Sequence, residues 1–222
     1  MAVEAKMITA PAANILERLE QLTAQLSTVW EAKTSQVKLP VHTGKTITAQ
    51  ELQFFQDDEK RYELIGGELI MMNPAGTRHG RITGRLHYLF AEHVYQHDAG
   101  VVYAAETGFQ IAHDPDTVRA PDVAFVARER IPPAGEPDGY WAIAPDLVVE
   151  VASPYDSAAY LQVKVTEWLD AGVRSVWVVY PDAHSVVVHE PSGHAATLRE
   201  DDVLDGGEVL SGFSCEVKEI FV

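Results

Sequence analysis

Two carboxylates stand inside otherwise apolar segments of this chain. One opens Asp122-Val123-Ala124-Phe125-Val126, after Arg119-Ala120-Pro121; the other closes Leu147-Val148-Val149-Glu150, before Val151. An ionised carboxylate in a buried strand is costly unless it is paired or bound to a metal. Taken singly, an Asp at a strand start serves a turn or a cap, and a strand Glu pairs with a lysine. Taken together they suggest a site. If the two segments are antiparallel neighbours, Asp122 faces Glu150, and two hard oxygen ligands converge on one Mg²⁺ or Mn²⁺ ion. The backbone carbonyl of Val151 adds a third. Such an ion polarises a phosphoryl oxygen and activates water. A lysine alongside stabilises the developing charge. Two residues after Glu150 stands Ala152, so the lysine comes from elsewhere. Lys164 lies on the helical segment that follows and reaches back towards the strand end. Gln162 is its companion, able to hydrogen-bond water or phosphate.

These residues need elements to position them. Leu147–Val151 is a short, wholly apolar run apart from its carboxylate, which predicts a buried central strand. Asp156 caps a predicted helix over 157–171, with Leu161, Val165, Trp168 and Leu169 on one face; Gly172 ends it. Upstream, Thr48 and Glu51 have capping-box spacing for a helix running to about Asp57. Residues 61–72 alternate on either side of Gly66-Gly67, which predicts a hairpin. Ile82, Leu86, Leu89, Phe90 and Val94 give helical periodicity over 79–97. Strands are expected at 101–105, 108–111, 122–126, 175–180 and 185–189, with a Pro- and Gly-rich loop over 131–139. Tyr140, Trp141, Trp168 and Trp177 read as core or loop anchors. The order predicts an α/β fold: a mixed sheet flanked by helices. Residues 1–45 form a separate N-terminal extension: an amphipathic helix over 13–29 (Ile15, Leu16, Leu19, Leu22, Leu26), then a linker over 34–45 broken by Pro40 and Gly44. The main domain is read as 46–222.

The chain has 222 residues and is 46% hydrophobic, enough for one well-cored domain. No apolar run approaches the roughly 20 residues that span a bilayer, and no signal peptide opens the chain; a cytoplasmic protein is the expectation. The single Cys215 excludes an internal disulfide and a cysteine metal cluster. A net charge of −16 runs against nonspecific nucleic-acid binding. A divalent cation bridging carboxylates to phosphate keeps a nuclease open.

The ordered segments Tyr62-Glu63-Leu64-Ile65-Gly66-Gly67-Glu68-Leu69, the helix start at His79, Arg119 to Val126, Leu147 to Pro154, and Lys164 with Ala171 to Val179 resemble the Uma-two restriction-endonuclease family. That family is a branch of the PD-(D/E)xK nuclease superfamily. The resemblance runs over about residues 46–195. It implies a restriction-endonuclease-like core, a divalent metal and cleavage of DNA phosphodiesters. It implies Asp122 and Glu150 as metal ligands and Lys164 as the catalytic lysine, displaced from the plain superfamily position. Glu63 is similar to the acidic residue on the family's first hairpin, either an extra ligand, direct or through water, or a solvent-facing charge. His79 is read as contacting phosphate or metal, or as a helix-start hydrogen bond. Arg81 and Arg85, four apart on one helix face, either contact a DNA backbone or form a solvated face. A homodimer is expected, because paired cuts on duplex DNA need two sites, and the 13–29 helix is a candidate dimer element. The alternatives are a nuclease fold that no longer cuts and acts as a binding or regulatory module, and a hydrolase of small phosphoesters.

Overall fold

A computed structural model describes residues 40–41, 46–54 and 61–222. The expected helix over 13–29 lies outside these residues. The compact unit runs over Lys38–Val222. It includes Pro40–Val41, an edge strand (β1) in the segment read as a linker.

The elements that follow are α1 (Ala49–Gln53), β2 (Arg61–Ile65), β3 (Glu68–Met72), α2 (Thr77–Gln96), β4 (Gly100–Ala104), β5 (Phe109–Ala112), β6 (Thr117–Arg119) and β7 (Val123–Ala127). Then come β8 (Leu147–Val151), α3 (Ala158–Asp170), β9 (Ser175–Tyr180), β10 (Ser185–His189), β11 (Ala195–Arg199), β12 (Val203–Asp205) and β13 (Ser214–Glu216). The fold is α/β with mixed sheets flanked by helices. A six-stranded sheet has the order β11-β10-β9-β8-β7-β4, and a five-stranded sheet the order β1-β3-β2-β6-β5. Strands β8 and β9 are parallel with α3 as their crossover, while β7 and β8 are antiparallel. No described helix is long and apolar enough to cross a membrane.

Side-chain alternation assigns the two faces of the six-stranded sheet. Leu147, Val149 and Val151 of β8, with Trp177 and Val179 of β9, join Ile82, Leu86, Phe90 and Val94 of α2 in the main core. Phe90 meets Trp177 edge-on at 5.3 Å. Val148 of β8, with Val176 and Val178 of β9, faces Leu161, Val165 and Trp168 of α3. Glu150 has the parity of Val148, so it points towards α3.

Three local expectations change. Ser157, not Asp156, caps α3: its Oγ accepts the Tyr160 N–H at 3.1 Å. Asp156 instead accepts the Ser153 N–H at 2.9 Å, closing the turn before the cap. The first helix ends at Gln53, with Phe54 as its C-cap. Finally, Thr117–Arg119 is a strand, made by pairing with β2 and β5. Its three residues carry no periodicity of their own.

The hairpin turn requires glycine at position 67. Gly67 has φ +80, and a Cβ there would lie 2.1 Å from the Thr46 methyl. Gly67→Ala is expected to cost roughly 1–3 kcal/mol from backbone strain and this clash. Urea unfolding checks this; an unchanged midpoint would contradict it.

Candidate active site

Strands β7 and β8 bring the two sequence-identified carboxylates together. Val123 pairs with Val149, and Asp122, one residue before β7, straddles the end of β8. Its N–H donates to the Val149 carbonyl at 3.1 Å, and its Oδ2 accepts the Val151 N–H at 2.7 Å. The strand residue between those two contacts is Glu150. Lys164 reaches back from α3, and its Nζ donates to Glu150 Oε2 at 2.6 Å. Both side chains are almost fully buried, at 6% and 5% exposure. Glu150 Oε1 accepts the indole N–H of Trp168 at 2.8 Å.

A second ion-pair group lies against the first. Arg119 of β6 donates to Glu63 Oε2 of β2 at 2.7 Å and also to Glu167 of α3. Glu63 Oε1 takes the Ala120 N–H at 3.2 Å. Both Glu63 oxygens therefore hold the segment leading into Asp122. Burial opposes ionisation of Glu63. The charges of Lys164 and Arg119, with the Arg119 and Ala120 hydrogen bonds, outweigh it and hold the carboxyl below its ordinary value of 4.5. Glu150 moves the other way. Burial pushes it up, Asp122 and Glu63 add to that, and Lys164 opposes them.

His79, in the first turn of α2, lies 3.2 Å from Asp122 Oδ2 through Nε2. Burial disfavours its charged form, but the Asp122 hydrogen bond and charge, the Val151 carbonyl and Glu150 together raise its pKa above 6.5. Gln162 is exposed on α3, two residues from buried Lys164 and so about 200° round the helix from it. Arg81 donates to the Phe221 and Val222 carbonyls, and Arg85 to the Glu219 carbonyl at 3.0 Å. Both anchor the C-terminal segment instead of standing free. Burial pushes the Cys215 thiol up to about 12, away from nucleophile chemistry.

Among the described residues no three His, Cys, Asp or Glu side chains form a ready metal cluster. The donor chemistry nevertheless fits a divalent cation. Four carboxylates (Glu63, Asp122, Glu150, Glu167) share the site with two permanent cations, Arg119 and Lys164. The surplus is two negative charges when His79 is neutral and one when it is protonated. Asp122 Oδ1 takes no hydrogen bond from any described residue. Asp122, Glu150 and the Val151 carbonyl are all hard oxygen donors, the chemistry such an ion takes. Asp146, just before β8, shows the purely structural alternative. That buried carboxylate has Arg130 at 3.1 Å, Arg174 at 3.7 Å and the Ala127 N–H at 2.9 Å.

The model of the Uma2 family, described as "Putative restriction endonuclease", matches residues 48–218. The chain belongs to this family. A solved structure from Anabaena variabilis, described as a "putative nuclease belonging to DUF820", superposes with a TM-score of 0.69 at 22% identity. The match covers 79% of this chain and 97% of that one. At that identity the likeness speaks for the fold, which is restriction-endonuclease-like. No curated protein matches the chain.

Arg119, Glu167 and the polar role of Trp168 were not foreseen as parts of the site. Glu167 and Trp168 do stand three and four residues after Lys164, the spacing that shares a helix face. Arg119 gave no such signal, because only the pairing of β6 with β2 brings it to Glu63.

Arg119→Met would leave Glu63 buried without its ion-pair partner, and is expected to destabilise the fold by about 3–5 kcal/mol. Adding Glu63→Gln should recover part of that loss, as for coupled neighbours. Strictly additive losses in denaturant melts would contradict the pairing. The depressed Glu63 pKa gives a pH signature. Its stabilisation is full above the ordinary carboxyl value of 4.5 and fades as pH falls through the lower folded value. Wild-type stability should therefore fall more steeply with acid than that of Glu63→Gln; parallel curves would refute it.

Proposed function

We propose that this protein is a metal-dependent endonuclease that hydrolyses DNA phosphodiester bonds. The observation that carries this reading is the buried Lys164–Glu150 pair beside Asp122, with an excess of carboxylate over fixed cation. Asp122, Glu150 and the Val151 carbonyl would hold Mg²⁺ or Mn²⁺. A divalent ion so held polarises the phosphoryl oxygen and lowers the pKa of water.

The chain's own residues do the rest. Lys164 has three N–H protons, and Glu150 engages one. The others orient the attacking water and stabilise charge on the phosphoryl oxygens. Water adds to phosphorus as one P–O ester bond breaks; the products are a phosphomonoester and an alcohol, which takes up a proton. His79 fixes Asp122 through Oδ2 and borders the substrate's approach. Glu63 acts through Arg119, not as a metal ligand. Gln162, exposed as it is, contributes only by contact with bound nucleic acid. A homodimer would supply the two sites that a double-strand cut needs.

A second reading, a non-cutting binding module, is favoured by the net charge of −16 and by the arginines already tied to acidic or carbonyl partners. One assay separates the two. Supercoiled plasmid incubated with Mg²⁺ or Mn²⁺ should be nicked. Glu150→Ala and Lys164→Met should each lose roughly 10²-fold or more in rate. No cleavage with any divalent metal, or undiminished cleavage by Glu150→Ala, would overturn the nuclease.

A further inference from the structure

Trp168 is the only donor on Glu150 Oε1 among the described residues, and it is a neutral one. Lys164 and Trp168 stand four residues apart on α3, so one helix face supplies both hydrogen bonds to one carboxylate, at 2.6 Å and 2.8 Å. That helix is fixed in turn by the Arg119–Glu167 ion pair and by packing of Leu161, Val165 and Trp168 on β8 and β9. The Trp168 side chain is 1% exposed, so the indole cannot turn away without opening the core. An indole offers one N–H and no acceptor. With the Lys164 bond it fixes the plane of the carboxylate, and being neutral it offsets none of the carboxylate's charge. Lys164 makes its contact at Oε2.

We propose that Trp168 is a positioning residue of the metal site: its indole N–H orients the Glu150 carboxylate and presents Oε1, the oxygen that lysine does not contact, to the divalent cation. A carboxylate has about four lone-pair sites, so Oε1 keeps one after accepting the indole. Packing alone does not require this bond, since an isostere of the indole without the N–H would fill the same apolar slot, whereas Phe is smaller and would leave a cavity. The proposal rests on the nuclease reading of Asp122 and Glu150 and adds the reason that one carboxylate oxygen is distinguished from the other.

The test is Mn²⁺ binding to the metal-free full chain, measured by calorimetry for wild type, Glu150→Gln, Trp168→Phe, and a variant carrying benzothienylalanine at 168. That analogue replaces the indole N–H with sulfur at nearly unchanged shape. Loss of an outer hydrogen bond to a ligand is expected to weaken Mn²⁺ binding roughly 10- to 100-fold, with circular dichroism unchanged in the analogue. A second readout uses ¹⁵N-labelled tryptophan in the wild-type protein, which has four indole N–H groups. Saturating Mg²⁺ should shift the Trp168 indole resonance, and should not in Glu150→Gln. Wild-type affinity in the analogue, or an indole resonance unmoved by Mg²⁺, overturns the Trp168 role while Glu150-dependent binding keeps the nuclease reading. Absence of Glu150-dependent Mn²⁺ binding in wild type overturns both.

Discussion

Lys164 and Glu150 meet at 2.6 Å with almost no solvent on either. Removing two charges from water costs several kcal/mol per ion, and only a close, well-bonded pair offsets it. Neither residue can be buried without the other. A strand that buries Glu150 must therefore have α3 laid across it with Lys164 facing in, and the β8–α3–β9 crossover is what delivers this. Exposed pairs exert no such demand. Arg128 and Asp98 are 52% and 80% exposed, and pairs of that kind contribute about 0–1 kcal/mol.

The same constraint bears on the proposed cation. The protein can silence a buried carboxylate completely, as it does at Asp146 with two arginines and a backbone N–H. At Glu150 it does less. One lysine and a neutral indole N–H serve a carboxylate that Asp122 and Glu63 both repel, and Asp122 keeps an oxygen without a hydrogen bond from the described residues. In a chain of net charge −16, concentrating uncompensated negative charge on strand ends is unfavourable unless something binds there. The arginines nearest in sequence to His79 do not relieve it, since Arg78 holds Asp182 and Arg81 and Arg85 hold the C-terminal segment. A bound divalent ion would balance the site and carry a phosphate contact that these three arginines do not.

Much of this was legible in the sequence because the signals were local. The capping box at Thr48 and Glu51, the Gly66-Gly67 hairpin, the α2 stripe and the apolar run around Glu150 all work within a few residues. The Lys164 position was legible through its place beside the buried stripe of α3. What escaped depended on distant pairing. Strand β6 exists because β2 and β5 flank it, so neither Arg119 nor its grip on Glu63 had a sequence signature. Arg81 and Arg85 have the spacing of a basic face, yet which partner they take is decided by where residues 219–222 return. Trp168 looked like core and is core; its N–H acquires meaning only once Glu150 is known to lie beneath it.

In the proposed mechanism Asp122 and Glu150 share one divalent cation. Crystals soaked in MnCl₂ and measured above the manganese absorption edge test it directly. One anomalous peak is expected within coordinating distance of Asp122, Glu150 and the Val151 carbonyl, with Lys164 beside it. A map with no peak there, or with manganese bound only elsewhere, would contradict it.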